Sequence, residues 1–315
     1  MTDQSELDGV VVVDKPMGPT SHDVVACVRR ALGKTKVGHL GTLDPLATGV
    51  LPLVVGRATR LASLLASASK QYDAVIRLGL VTDTYDITGT VVGGSEAPGS
   101  AVRIAGVGER HLSCETVTLA ASGFVGSYQQ RPPPFSAKKI DGVRAYDLAR
   151  RRRPVNMRSV PVSVDALTVL SVDGPRVRCR IVSSSGFYVR SLAHDLGDVL
   201  GCGGCLETLR RERHGPFDLQ GAIPLVRIVE NGASVASHLV PMDTLLPWMP
   251  AVVANDHGVR RATHGNPLRI ADIASATAVP SRSTGPVRIL DGRGRLLAVA
   301  DPRADGALHP KIVLV

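Results

Sequence analysis

Hydrophobic positions along the chain fall into short runs and regular alternations, and both predict strands interleaved with short helices. Val10 to Val13 is an unbroken run of four valines, with the length and branching of a buried strand. It ends at Asp14-Lys15-Pro16-Met17-Gly18-Pro19, where two prolines and a glycine impose a loop. Thr20 or Ser21 then caps a predicted helix, since Val24, Val25, Val28, Ala31 and Leu32 share one helical face and Gly33 supplies the stop. Leu51 to Val55 predicts a strand, and Thr59 to Ala68 a helix that buries Leu61, Leu64 and Leu65. From Tyr72 to Leu80 the pattern alternates, with Tyr72, Ala74, Ile76 and Leu78 on one face and Asp73, Val75 and Arg77 on the other.

The same alternation returns from Arg176 to Val182, where Val177, Cys179 and Ile181 point inward and the arginines give a basic outer face. Ser184 to Ser191 follows, with Tyr188 and Arg190 on one strand face, and Leu192 to Leu200 predicts a helix stopped by Gly201. Pro241-Met242-Asp243 and the prolines up to Pro250 mark a domain boundary. Beyond it, Val287 to Leu290, the turn Asp291-Gly292-Arg293-Gly294, and Leu296 to Ala300 give a strand, turn, strand signal, closed by Ile312 to Val315. Strands that alternate in the antiparallel manner, mixed with helices, predict an α+β fold around a central mixed, largely antiparallel sheet, with a small C-terminal β domain. We set the domains at residues 1–245 and 250–315, with an insertion at about 125–155.

Composition narrows the partners. The chain has 315 residues, enough for two domains, and 37 Lys and Arg against 28 Asp and Glu give a net charge of +9, which suits a polyanion. No apolar run approaches a transmembrane span, and the polar, acidic start from Met1 to Asp8 lacks the pattern of a signal peptide, so a cytoplasmic location is the expectation. Five cysteines do not read as a disulfide framework, and the lone Cys202-x-x-Cys205 lacks the two further ligands that zinc needs. Without a phosphate-loop or dinucleotide fingerprint, we expect no cofactor and no metal.

The stretch from Gly38 to Gly49 carries the candidate chemistry. It reads Gly-His-Leu-Gly-Thr-Leu-Asp-Pro-Leu-Ala-Thr-Gly, a shaped loop that presents one carboxylate, Asp44, next to Pro45. An isolated Asp-Pro pair only starts a turn. This loop, continued by Leu51-Pro52 and Gly56-Arg57-Ala58-Thr59-Arg60, closely resembles the signature of the bacterial tRNA pseudouridine-55 synthases of the TruB type. Asp14-Lys15-Pro16, Thr82 to Asp86 with Gly89, and Gly186 to Ser191 extend the resemblance, which covers the chain from about Gly9 to Pro241. It implies the pseudouridine synthase fold and a small RNA-binding C-terminal module of the PUA kind, whose start Gly265-Asn266-Pro267 fits.

The resemblance also implies roles. Asp44 stands at the catalytic nucleophile, held ionised by Arg190, while Tyr72 stands at the tyrosine that lies against the target base and moves a proton. His39 takes part in base extraction, Lys15 supports the site, Asp86 contacts the flipped nucleotide, Tyr188 packs on the base and Leu209 shapes the pocket. Family members often carry lysine and threonine where Ser185 and Phe187 stand here. Arg131-Pro132-Pro133-Pro134, then Lys138 and Lys139, and the four arginines from Arg150 to Arg153 correspond to a mobile insertion that closes over the RNA, where the cations contact phosphates.

The implied reaction is isomerisation of uridine 55 in the tRNA T-loop, with the base flipped out of its stack. Attack of Asp44 at ribose C1′ or at C6 of the base, or initial deprotonation at C2′, all stay open. The T-arm of tRNA is the expected partner, with no protein partner and a monomer as the default. The alternative is an RNA-binding or RNA-folding protein that uses the same basic surface without catalysis.

Overall fold

The computed structural model describes residues 7–33, 35–94, 103–104, 108–109, 112–136, 139–140, 143–144, 157–232, 234–276 and 285–314. The valine run lies within β1 (Gly9–Lys15). Thr20 caps α1 (Ser21–Ala31): its side chain accepts from the Asp23 N–H while the Asp23 carboxylate accepts from the Thr20 N–H, a reciprocal cap worth about 1 kcal/mol. After α1 come β2 (Val37–His39) and β3 (Thr48–Val55). The helix expected over Thr59 to Ala68 is instead a 3₁₀ turn (Gly56–Leu61) that runs into the short α2 (Ala62–Ala66), burying Leu61 and Leu65.

The alternating segment is β4 (Lys70–Leu78), and α3 (Cys114–Ser122), β5 (Gly126–Gln130), β6 (Val160–Asp173) and β7 (Arg176–Ser183) follow. Helix α4 (Val189–Val199) begins earlier than its leucine pattern implies, because Tyr188, still extended, is its N-terminal boundary residue. Tyr188 and Arg190 therefore do not share a strand face; Arg190 lies in the first helical turn. The last strand of this region is β8 (Gly204–His214).

These strands form one mixed sheet in the order β1-β3-β8-β4-β7-β6-β5, with Ile223–Pro224 added parallel to the outer side of β1. The β3 to β8 contact is parallel and the other neighbours in that series are antiparallel. One core lies between the sheet and the helices, with Ile76, Ile181 and Leu209 among its members alongside Val24 of α1 and Leu192 of α4. The arginines of β7 do point outward, but their charge is compensated by carboxylates on β4 and β8: Arg176 pairs with Glu207, Arg178 with Asp73 and Arg180 with Glu212. The expected basic face is thus a charge-balanced one.

The C-terminal portion contains β9 (Ala251–Ala254), α5 (Asp256–Thr263), β10 (Ile273–Ala276), β11 (Val287–Leu290), β12 (Leu296–Pro302) and β13 (Leu308–Val313). The strands make a five-stranded sheet in the order β10-β9-β11-β12-β13. Its first strand precedes Gly265-Asn266-Pro267, which follows α5 and does not start the module. Leu296, Val299 and Leu314 pack with Val10, Val12, Val50 and Val54, so this portion is cemented to the sheet face opposite α1 and α4, beside α2.

Candidate active site

The Asp44 loop is fastened from two directions. Ser21, at the start of α1, donates to the Leu43 carbonyl at 2.9 Å and accepts from the Leu43 N–H at 2.8 Å. Lys15, at the end of β1, is fully buried and donates to the carbonyls of Ala47 at 2.7 Å and Pro16 at 2.9 Å. Burial lowers the Lys15 pKa to about 8, against the pull of Asp44. Lys15 is therefore a loop fastener, and it does not border the cavity beyond.

That cavity, of about 220 Å³, brings together Asp44, Tyr72, Tyr188, Leu209 and Arg190. Arg190 Nε lies 2.9 Å from Asp44 Oδ2; the guanidinium side chain is 7% exposed and the carboxylate 38% exposed. The other nitrogens of Arg190 lock the surroundings: Nη1 donates to the Thr84 carbonyl and Nη2 to the Phe135 carbonyl, each at 2.9 Å. Gln130 fixes the backbone of Tyr188 with a pair of hydrogen bonds, accepting from its N–H at 2.8 Å and donating to its carbonyl at 3.1 Å. Burial raises the pKa of Tyr188 and of Tyr72, so both hold their protons at rest.

Other residues singled out from the sequence lie elsewhere. Asp86 sits behind Arg190: its Oδ2 is 3.4 Å from Nη1, and its Oδ1 accepts from the Thr84 hydroxyl and from the Thr88 N–H at 3.0 Å each. Its carboxylate is committed to these partners and does not border the cavity. His39 is half-buried on β2, edge-on to His22 with ring centroids 5.3 Å apart, and burial lowers its pKa. Lys138 lies outside the described residues, as do Arg150 to Arg153; Lys139 begins a two-residue strand (Lys139–Ile140), and its side chain is likewise outside the description. The proline segment before them is held against α4 through Arg190 and through Ser191, which donates to the Arg131 carbonyl at 2.7 Å.

Two charged cavity residues were given no role from the sequence, Lys70 and Arg211, although Arg211 follows the wall residue Leu209. Arg211 had a signal: two positions after Leu209 on a strand, it shares the inward face. Among the described residues no group of His, Cys, Asp and Glu could hold a metal ion, and no helix is long and apolar enough to cross a membrane.

Comparison with known proteins places this arrangement. Residues 29–189 match the family model of the TruB family pseudouridylate synthase N-terminal domain, and residues 190–247 match that of the tRNA pseudouridylate synthase B C-terminal domain. The tRNA pseudouridine synthase B of Solibacter usitatus is 39% identical over 98% of this chain and 100% of its own length. That of Geobacter sulfurreducens is 41% identical over 95% and 94%. Among solved structures, a chain of a Cbf5-Nop10-Gar1 complex is similar with a TM-score of 0.73 at 27% identity, over 98% of this chain and 85% of that one. The fold, the length of the match and the cavity around Asp44 agree: the chain belongs to the TruB family of pseudouridylate synthases.

Proposed function

We propose that the chain isomerises uridine 55 in the T-loop of tRNA to pseudouridine, with Asp44 as the nucleophile and Tyr72 as the group that moves the proton. The observation that carries the reading is the Asp44–Arg190 pair at the cavity: a half-exposed carboxylate, available to a ligand, is aimed by a buried guanidinium that cannot turn away. Pseudouridine formation breaks the glycosidic C–N bond, rotates the uracil and rejoins it through C5. The base has to leave its stack to reach Asp44, and the cavity of about 220 Å³ is the recess that receives it.

Tyr188 and Leu209 supply the apolar walls for the uracil, while Lys15 acts through the loop it fastens. Asp86 is the second anchor of Arg190. His39 fills the vacated stack, and Lys138, Lys139 and the arginines at 150–153 hold phosphates of the T-arm. Residues 250–315 are a PUA-like RNA-binding module. The enzyme works as a cytoplasmic monomer. Incubation with a T-stem-loop RNA, followed by mass analysis of its nucleosides, tests the reaction and the position modified.

A further inference from the structure

Arg211 and Tyr72 are directly opposite one another across β8 and β4. Arg211 is 1% exposed although it carries a permanent charge. Its Nε donates to the Val50 carbonyl at 2.7 Å and its Nη2 to the Gly41 carbonyl at 3.0 Å, and its charge acts on the Tyr72 hydroxyl across the strand pair. None of these partners is a carboxylate. Its surroundings are basic as well: a Cβ on Gly41 would lie 3.6 Å from Arg211 Nη1, 3.7 Å from Lys70 Cε and 3.5 Å from the ring of His214. Lys70 spends its ammonium on the carbonyls of Ala66 at 2.9 Å and Ala68 at 2.6 Å.

A buried guanidinium without a counter-charge is costly, and its natural use is to balance negative charge that appears during the reaction. A ligand oxygen and Tyr72 itself are the two sources. At 1% exposure Arg211 offers a ligand almost no surface, whereas Tyr72 is its direct cross-strand neighbour. With the cation on one side of the phenol, its O–H is left for the cavity that Tyr72 borders.

We propose that Arg211 is the positioning residue for Tyr72: it holds the hydroxyl toward the cavity and balances the phenolate when Tyr72 releases its proton. The inference rests on the reading of Tyr72 as the proton-moving group. The phenol O–H bond breaks with its electron pair left on oxygen, and the proton leaves through the cavity to water. The same pair then forms a new O–H bond to the proton taken from C5 of the rejoined base, the C–H electrons return to the uracil ring, and N1, freed from the ribose, takes a proton from water. The Tyr72–Arg211 pair passes from a net positive charge to neutrality and back.

The test is the pH dependence of the single-turnover rate on a T-stem-loop RNA, for the unmutated chain, Arg211→Lys and Arg211→Met, with Tyr72→Phe as reference. Arg211→Met is expected to move the rate midpoint to higher pH by about one unit or more, with at least about a tenfold loss at neutral pH, and Arg211→Lys, which keeps a cation, by less, both with RNA affinity within about threefold. A loss by the same factor at every pH, or no loss, in Arg211→Met overturns the proposal. If Tyr72→Phe retains full turnover, the reading of Tyr72 falls first and the inference with it; a dead Tyr72→Phe beside pH-independent Arg211 variants sinks this inference alone. Should neither Arg211 variant fold, unmutated protein made with more acidic fluorinated tyrosine is measured instead. Its midpoint is expected to move down, and an unchanged midpoint overturns the proposal.

Discussion

Arg190 Nε stands 2.9 Å from Asp44 Oδ2, and the same guanidinium reaches Asp86 on its far side. One buried cation therefore orients the carboxylate of one loop and fastens another loop through Asp86 and the Thr84 carbonyl. Its third contact, to the Phe135 carbonyl, ties in the root of the insertion. A change at Arg190 is felt at three segments at once.

Arg190→Met is expected to reduce single-turnover rate by about 100-fold or more, through loss of the aimed carboxylate. It should also lower the unfolding free energy by about 3 kcal/mol, because Asp86 is left buried without its charge partner. Asp86→Asn in the same background should return part of the stability and none of the rate. Urea unfolding together with single-turnover kinetics checks both halves.

Lys15 gives a pH dependence with a definite sign. Its folded pKa is about 8, below the value of about 10.4 for an unperturbed lysine. Between these two values the unfolded chain holds a proton that the folded chain has lost, so this lysine makes stability rise with pH across that window. Lys70, also brought down to about 8 by burial, acts in the same direction. Relative to Lys15→Met, the unmutated chain should gain unfolding free energy from pH 8 to pH 10, and a constant difference would refute the assignment.

Gly49 adopts φ +98°, and a Cβ there would fall 2.2 Å from the Arg211 carbonyl oxygen. The residue permits β3 and β8 to pair in parallel, with Gly49 opposite Arg211. Gly49→Ala is expected to cost more than about 2 kcal/mol in chemical denaturation. Turnover should fall as well, since the Asp44 loop leads into β3 and Arg211 lies opposite Gly49 on β8.

For the insertion, replacing Lys138 and Lys139 together by alanine should weaken T-arm RNA binding and reduce the slope of log affinity against log salt by about 1 to 2. The rate at saturating RNA should stay close to that of the unmutated chain. An unchanged salt slope would remove the two lysines from the RNA interface.

Much of this was legible in the sequence because local signals and packing agree. The valine run, the alternation that begins at Tyr72 and the glycine-bounded Asp44 loop each fold as their patterns imply, and the Gly-x-Tyr-x-Arg stretch does deliver Arg190 to Asp44. What was hidden depends on partners far away in the chain. A lysine after valines looks solvated until the Ala47 carbonyl is known to meet it, and the arginines of β7 look like a basic face until Asp73, Glu207 and Glu212 arrive from other strands. Arg210 and Arg211 are adjacent and alike in the sequence, yet one pairs with Asp14 at 2.9 Å near the surface and the other is buried behind Tyr72. Strand parity separates them, and a register shift between Arg211 and Arg213 blurs that parity further along.

The central claim is that Asp44 performs base isomerisation at this cavity. Tritium release from a T-stem-loop RNA carrying uridine labelled at C5, measured for the unmutated chain and Asp44→Ala side by side, tests it most directly. Release by the unmutated chain and none by Asp44→Ala is the expected result. Equal release by both would remove Asp44 from the chemistry, and tight RNA binding by both without any release would contradict the enzymatic account and leave an RNA-folding role in its place.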